Sequence, residues 1–356
     1  MFQPCQRFCR PLSRLAAVAF ATCLATATVA GAEPPLFQSH ETLALTLEAA
    51  FSSLHEDREE SMSPYRPAVL GYLSDNGETR SLALQVKTRG ISRLSKGKIS
   101  CSFQLLMLNF RGSDTAGTPF AGQDDVPLVT HCRDRNNYEQ YVIREYLAYR
   151  FYNLVTDKSL RVRPARVRYL ENGGESFTTR YAFFVEHFDS MAQRLGAEIF
   201  DGDSRSIKFE KNFDLGVFYI FQFLIGNTDF SRREPHNVLL LSQPDSQIIA
   251  VPFDLDSSGV VNARYAVPDP RLELPGVRMR RYRGFCEPMD VLQQVVDYYL
   301  QRKVQFYALY QEQEGLTNYS RKKGLNYLDS FFRMLKNPRK MQKVIRYSCW
   351  RGPDGD

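Results

Sequence analysis

After its first 32 residues the chain has no apolar run long enough to cross a bilayer, for which ~20 residues are needed, so no membrane span is expected beyond that point. It has no C-x-x-C pair, and the one histidine beside a cysteine, His131, has no partner at metal-ligand spacing, which argues against a zinc site. A P-loop, a G-x-S-x-G elbow and an H-E-x-x-H helix are all missing, and with them the sequence support for those chemistries. There is no internal repeat and no low-complexity stretch. Charge of one sign is scarce too: 46 Lys+Arg against 40 Asp+Glu gives only +6 over 356 residues, which sets no expectation of a nucleic-acid partner. With 43% hydrophobic and 24% charged residues, wholesale disorder is excluded. The length suits about two domains, or one two-lobed unit, at ~150 residues each.

What the chain does have begins with a leader pattern. Residues 1–32 carry Arg7, Arg10 and Arg14 and no acid, then an apolar run from Leu15 to Ala30, then Ala30-Gly31-Ala32. A basic start, an apolar core and an A-x-A site predict a secretory signal cleaved after about Ala32, and hence a secreted or periplasmic protein. Four of the seven cysteines lie beyond it: Cys101, Cys132, Cys286 and Cys349. In an oxidising compartment these predict two disulfides. Three pairings are open, and closeness in sequence favours Cys101–Cys132 and Cys286–Cys349.

Residues 33–66 read as an N-terminal extension with one amphipathic stretch. From Ala68 the pattern is β-rich: AVLGYL, SLALQVKTRG, KISCSFQLLMLNF and Val126 to Thr130 predict strands. Tyr138 to Thr156 has apolar and aromatic residues at helical spacing, and two strands follow, Val162 to Tyr169 and Thr178 to Val185. The second half predicts helices. Phe213 to Ile225 is apolar nearly all round, the mark of a buried helix, while Asp290 to Gln311, Arg321 to Leu335 and the basic Pro338 to Tyr347 are amphipathic or end-capping helices. Strands first and helices after suggest a β-rich lobe over 67–190 and a helical lobe over 191–356, linked near Glu186 to Ser206.

The chemistry concentrates between Phe223 and Gly259, FLIGNTDFSRREPHNVLLLSQPDSQIIAVPFDLDSSG. Val238 to Leu241 and Ile248 to Val251 are apolar runs separated by a polar turn holding Pro244 and Asp245, so they predict a β-hairpin. Asn237 precedes its first strand and Asp254 follows its second, so antiparallel pairing brings both to one open end. Asp229, in the loop between the buried helix and the hairpin, reaches the same end, and Asp256 lies beside it. Oxygen ligands gathered this way suit Mg²⁺ or Mn²⁺, which take a few carboxylates plus water and phosphate. A nearby carboxylate that orients an attacking hydroxyl completes what phosphoryl transfer needs. Turn chemistry is the competing explanation for each residue alone, and Asp256 suits either a supporting or a turn role.

GNTDFSRREPHN followed by VPFDLDSSG resembles the active-site segment of the spore coat protein H (CotH) kinases, atypical secreted kinases. It is closer still to a group of bacterial secreted proteins with a GNTD…HN…VPFDFD…GLVN pattern, here ending Gly259-Val260-Val261-Asn262. The likeness takes in Leu128 to Cys132, Arg144 to Leu147 and Phe184 to Glu186, roughly residues 84 to 290. It implies an α+β, two-lobed protein-kinase-like fold and phosphoryl transfer from ATP or another nucleotide to a protein or small-molecule hydroxyl. Asp229 would be the catalytic carboxylate, and Asn237 and Asp254, with Asp256 beside them, would hold the metal. Glu145 would pair with a phosphate-binding lysine, for which Lys87 and Lys98 are the candidates, and Glu186 would lie near the adenine.

The chain departs from the pattern twice. Eight positions separate Asp229 from Asn237 where typical kinases have five, so Ser231 to Pro235 must bulge out. Where related proteins carry lysine before LVTHC, this chain has Asp124-Asp125-Val126-Pro127. A catalytically inactive pseudokinase, acting as a binding or envelope-structural module, is therefore the alternative. Arg278, Arg280, Arg281 and Arg283 form a dense basic patch just after the active-site segment, suited either to an acidic or phosphorylated substrate or to structural ion pairs.

Overall fold

In a computed structural model, residues 35–57, 59–74, 76–90, 101–286 and 288–349 are described. The leader pattern and Lys98 lie outside these residues. Seven strands build the first half: β1 (Leu43–Ala49), β2 (Arg66–Leu73), β3 (Thr79–Arg89), β4 (Leu105–Asn109), β5 (Asp125–Val129), β6 (Val162–Glu171) and β7 (Ser176–Val185). Their order is β1-β2-β3-β4-β5-β7-β6, and the ring closes because β1 pairs in parallel with β6, Leu45 opposite Val167. The other pairings are antiparallel.

This closed barrel corrects the expected two-lobed kinase-like fold. The α+β composition is present, but the β part is a closed seven-stranded barrel and not the open sheet of a kinase lobe. The described residues belong to one compact unit. The stretch 33–66, expected as an extension, supplies the closing strand β1. Its alternation is the reason: Leu45, Leu47 and Ala49 point into the barrel while Ala44, Thr46 and Glu48 point outward. The barrel is filled. Leu47, Val86, Leu108, Val126, Ala165 and Phe184 are all 0% exposed, as expected where side chains from facing strands meet across a small barrel.

A short helix α1 (Phe51–Glu56) follows β1, and α2 (Asn136–Asn153) lies against the outside of the barrel, with Tyr146 and Tyr149 on Phe183 of β7. One turn on, α2 meets α4 (Phe213–Ile225), with Tyr152 on Phe221 at 4.5 Å between ring centroids. Every residue of α4 from Leu215 to Ile225 is buried, as its all-round apolar sequence requires. Asn212 caps its start by accepting the Leu215 N–H. The expected linker region folds instead into α3 (Phe188–Arg194) and β8 (Glu198–Ile199), and β8 joins β9 (Val238–Ser242) and β10 (Ile248–Pro252) in a three-stranded sheet. The expected helix Asp290 to Gln311 is two helices, α5 (Met289–Gln301) and α6 (Lys303–Glu312), divided at Arg302. α7 (Asn318–Leu335) and α8 (Pro338–Ser348) complete the second core.

Both disulfides form as sequence proximity suggested: Cys101–Cys132 ties the stretch before β4 to the entrance of α2, and Cys286–Cys349 ties the approach to α5 to the end of α8. No described helix is long and apolar enough to cross a membrane.

Candidate active site at the open end of a hairpin

Helix α4 stops at Gly226, which adopts the left-handed conformation (φ 66°) that ends a helix and turns the chain back. A Cβ at this position would run into the Tyr327 hydroxyl, so glycine is required for space as well as for backbone freedom. Asn227, buried beneath the turn, accepts the Asp229 N–H at 2.9 Å and donates to Gln222 at 3.0 Å. From below, Arg283 donates to the carbonyls of Thr228 (2.7 Å) and Phe230 (3.0 Å), and its guanidinium lies 4.8 Å from the Phe230 ring centre. The backbone on both sides of Asp229 is thus clamped.

The extra residues after Asp229 close on themselves. Ser231 and His236 exchange two backbone hydrogen bonds, both 3.0 Å, so the intervening residues leave the main path as a small loop, as the eight-residue spacing demanded. His236 then places Nε2 3.0 Å from Asp229 Oδ1. Asn237 Nδ2 donates to the Asp229 carbonyl (2.9 Å) and to Oδ2 (3.3 Å).

The hairpin brings the second half of the site alongside. Val238 lies opposite Pro252, and the Phe253 N–H donates to the Asn237 carbonyl at 3.1 Å, one step before Asp254. Asn237 and Asp254 both hold left-handed backbone (φ 54° and 53°), a conformation that asparagine and aspartate tolerate better than other side-chain-bearing residues. Asp229 is half-buried and Asp254 exposed. Asp256 stands apart in role: its two oxygens accept from the Ser257 and Tyr265 hydroxyls, at 3.1 and 2.9 Å.

Behind Asp254 lies a charged cluster around Tyr149. The Tyr149 hydroxyl accepts the Asp254 N–H at 2.9 Å. Burial pushes the phenol pKa well up, the charges of Glu145 and Asp254 push it further, and the Arg89 guanidinium pulls it down. Glu145 and Tyr149 stand one turn apart on α2 and so share a face. Arg89 comes from the end of β3, on the outer side of the barrel. One acid from the helix, one base from the strand and one acid from the hairpin therefore converge on a single buried tyrosine.

For a metal ion the donor set is small. Among the described residues no three His, Cys, Asp or Glu side chains form a ligand cluster. Asn237 turns its Nδ2 toward Asp229, which leaves its Oδ1 as the hard donor, and the exposed Asp254 carboxylate belongs to the same end of the hairpin. Two protein oxygens fit Mg²⁺ or Mn²⁺ completed by water and phosphate. An open depression of about 400 Å³ lies on the Asp229 side, lined by His236, Glu234 and Asp269. There the hydrogen bond from Arg271 holds the Asp269 carboxyl below the usual range. A larger cleft of about 480 Å³ lies at the other, turn end of the hairpin, walled by Phe200, Phe209 and Phe218.

The remaining sequence candidates lie elsewhere or are occupied. Lys87 sits with its Nζ 4.9 Å from the Tyr65 ring centre, two residues from Arg89 on the same strand face. Glu186 is buried, accepts two bonds from Arg194 at 2.8 Å each and one from the Arg161 N–H at 3.1 Å. Arg280 gives its guanidinium to the Leu224 and Tyr327 carbonyls and to Ser330, and burial lowers its pKa to about 10. Arg278 donates to the Lys323 carbonyl and lies over Tyr327, while Arg281 lies 5.3 Å from the Tyr347 ring centre. Asp125, in the stretch where the sequence resemblance implies lysine, accepts from Tyr65 and Asn109 at the barrel rim. Sequence reasoning missed Arg89, Tyr149, His236 as a partner of Asp229, and Arg283 as its clamp. The one available signal was periodic: Arg89 shares the face of Lys87, and Tyr149 follows Glu145 by one helical turn. Compared with known proteins, the chain matches no protein-family model and no curated protein.

Proposed function

We propose that the open end of the β9–β10 hairpin carries out metal-assisted phosphoryl transfer from a nucleotide to a protein or small-molecule hydroxyl, on a barrel-and-helix scaffold. The observation that carries this reading is that Asn237 bonds Asp229 at 2.9 and 3.3 Å, while the Phe253 N–H to Asn237 carbonyl bond brings the next residue, Asp254, to the same end of the hairpin. Asp229 would orient the attacking hydroxyl, and His236 fixes its Oδ1. Asn237 and Asp254 would hold the divalent ion, whose charge would offset that of the transferring phosphoryl oxygens. Arg89, whose charge and that of Glu145 both act on Tyr149, would take the part that the resemblance assigned to lysine.

A non-catalytic binding module is the second reading, favoured by the placement of Lys87 against Tyr65. Thermal melts with ATP, with Mg²⁺ or Mn²⁺, and with both decide between them. Phosphoryl transfer predicts a stabilisation only with both together, about 2.7 kcal/mol at a hundredfold excess over Kd. Asp254→Ala abolishes it. Transfer of labelled phosphate to an added acceptor is lost in Asp229→Asn, which still binds. No stabilisation by nucleotide under any metal condition overturns the proposal.

A further inference from the structure

Helix α8 is basic in a way the candidate site does not use. Between Lys336 and Arg346 the chain carries five cations (Lys336, Arg339, Lys340, Lys343, Arg346) and no acid, although the whole chain has a surplus of only six. All five are exposed, and among the described residues none makes an ion pair. The opposite side of the helix is fixed, with Met341 and Ile345 buried in the core and the disulfide Cys286–Cys349 holding its end. Arg339, Lys343 and Arg346 recur at helical spacing and share one shallow depression with Gln342 and Tyr347. Tyr347 is 79% exposed there, and Arg281 joins the face by lying over its ring. Unpaired like charges on adjacent turns repel one another, so this face gains from a negative counter-surface.

We propose that this face docks on a bilayer surface rich in anionic lipid headgroups. The cations suit phosphate oxygens in a plane, and a helix that cannot leave the core presents them without further ordering. Tyr347 selects lipid over a soluble polyanion: an exposed tyrosine ring suits the headgroup level of a bilayer, whereas a polyanion in solution offers it no apolar surface.

The test is co-sedimentation of the full chain with vesicles of phosphatidylcholine, with and without phosphatidylglycerol, across a salt series. Binding is expected only with phosphatidylglycerol and should fall as salt rises. Replacing Arg339, Lys343 and Arg346 together by Gln should weaken it about a hundredfold, at about fivefold per cation. Tyr347→Ala should weaken it at every salt concentration, a change that leaves the charges in place. Because these side chains are exposed, unchanged thermal melts verify the fold, and the salt series on the unaltered chain stands by itself. Equal binding to neutral vesicles, no binding to either, or undiminished binding by the triple variant overturns the proposal. So does charge-dependent binding to inorganic polyphosphate with none to vesicles, which assigns the face to a soluble polyanion.

Discussion

Glu186 provides a sharp test of how the barrel meets the helices. Its side chain is 6% exposed, and its carboxylate takes two 2.8 Å bonds from Arg194. Arg194 is 18% exposed and also donates to the Asp157 and Ser159 carbonyls, so it fastens the end of α2 to α3. Arg194→Ala leaves a buried carboxylate that still accepts the Arg161 N–H at 3.1 Å. Breaking one side of a buried pair costs about 3–5 kcal/mol, and the partial exposure of Arg194 places this case near 3 kcal/mol. Glu186→Gln keeps the shape but removes the charge, at about 1.5–3 kcal/mol for the charged hydrogen bonds. Glu186→Leu combined with Arg194→Met should recover most of the loss, because no charge is then stranded. Urea titrations of the three variants, read at constant m-value, give each cost directly. The structural assignment is refuted if Arg194→Ala costs less than about 1 kcal/mol. It is refuted equally if Glu186→Gln leaves stability untouched and weakens nucleotide binding, which is what a role beside adenine requires.

Acidification supplies another test: although His40 keeps part of its surface in water, desolvation of the rest, then the Arg150 and Arg163 charges, lowers its pKa from 6.5 to about 4. The fold therefore holds His40 neutral while the unfolded chain takes up a proton, so its contribution is full above pH 6.5 and is lost as pH falls toward 4; His40→Gln should flatten the urea midpoint across that window, and parallel curves would contradict the assignment. Removing Cys286–Cys349, which spans 63 residues, should cost about 4 kcal/mol by loop entropy and raise amide exchange in α8, while an unchanged urea midpoint would count against the bond.

The parts of the fold that were legible in sequence are those encoded over short distances. The run Phe213 to Ile225 can only be a buried helix, and two apolar runs around Pro244 and Asp245 can only fold back on each other. The barrel was not legible, because its closure depends on a pairing between Leu43 and Ala165 that no local pattern announces. The alternation of Leu43, Leu45, Leu47 and Ala49 was present, but in a stretch assigned to an extension by its place before the main strands. The roles within the arginine patch were not legible for another reason. Sequence shows how many guanidinium donors exist and not where they go, and Arg280 and Arg283 spend theirs on backbone carbonyls. Lys87 and Arg89 illustrate the same limit: alternation puts both on the outer face of β3, and only the position of α2 decides which of them meets Tyr149.

Closure of the barrel also decides where a ligand can act. Its interior is occupied by side chains such as Leu47, Val86 and Phe184, each 0% exposed, so no nucleotide enters between the strands. Any phosphate contact from β3 must therefore come from its outer face, toward α2 and the open end of the hairpin. The residue there is Arg89, whose planar fork can hold a carboxylate and still present a further edge, where a lysine offers a single charged point. That guanidinium also lowers the Tyr149 pKa, against the carboxylates of Glu145 and Asp254 that raise it. A ligand binding at Asp254 would therefore change the field at the buried Tyr149 hydroxyl, which accepts the Asp254 N–H, so occupancy of the hairpin's open end would be felt where α2 packs on the barrel.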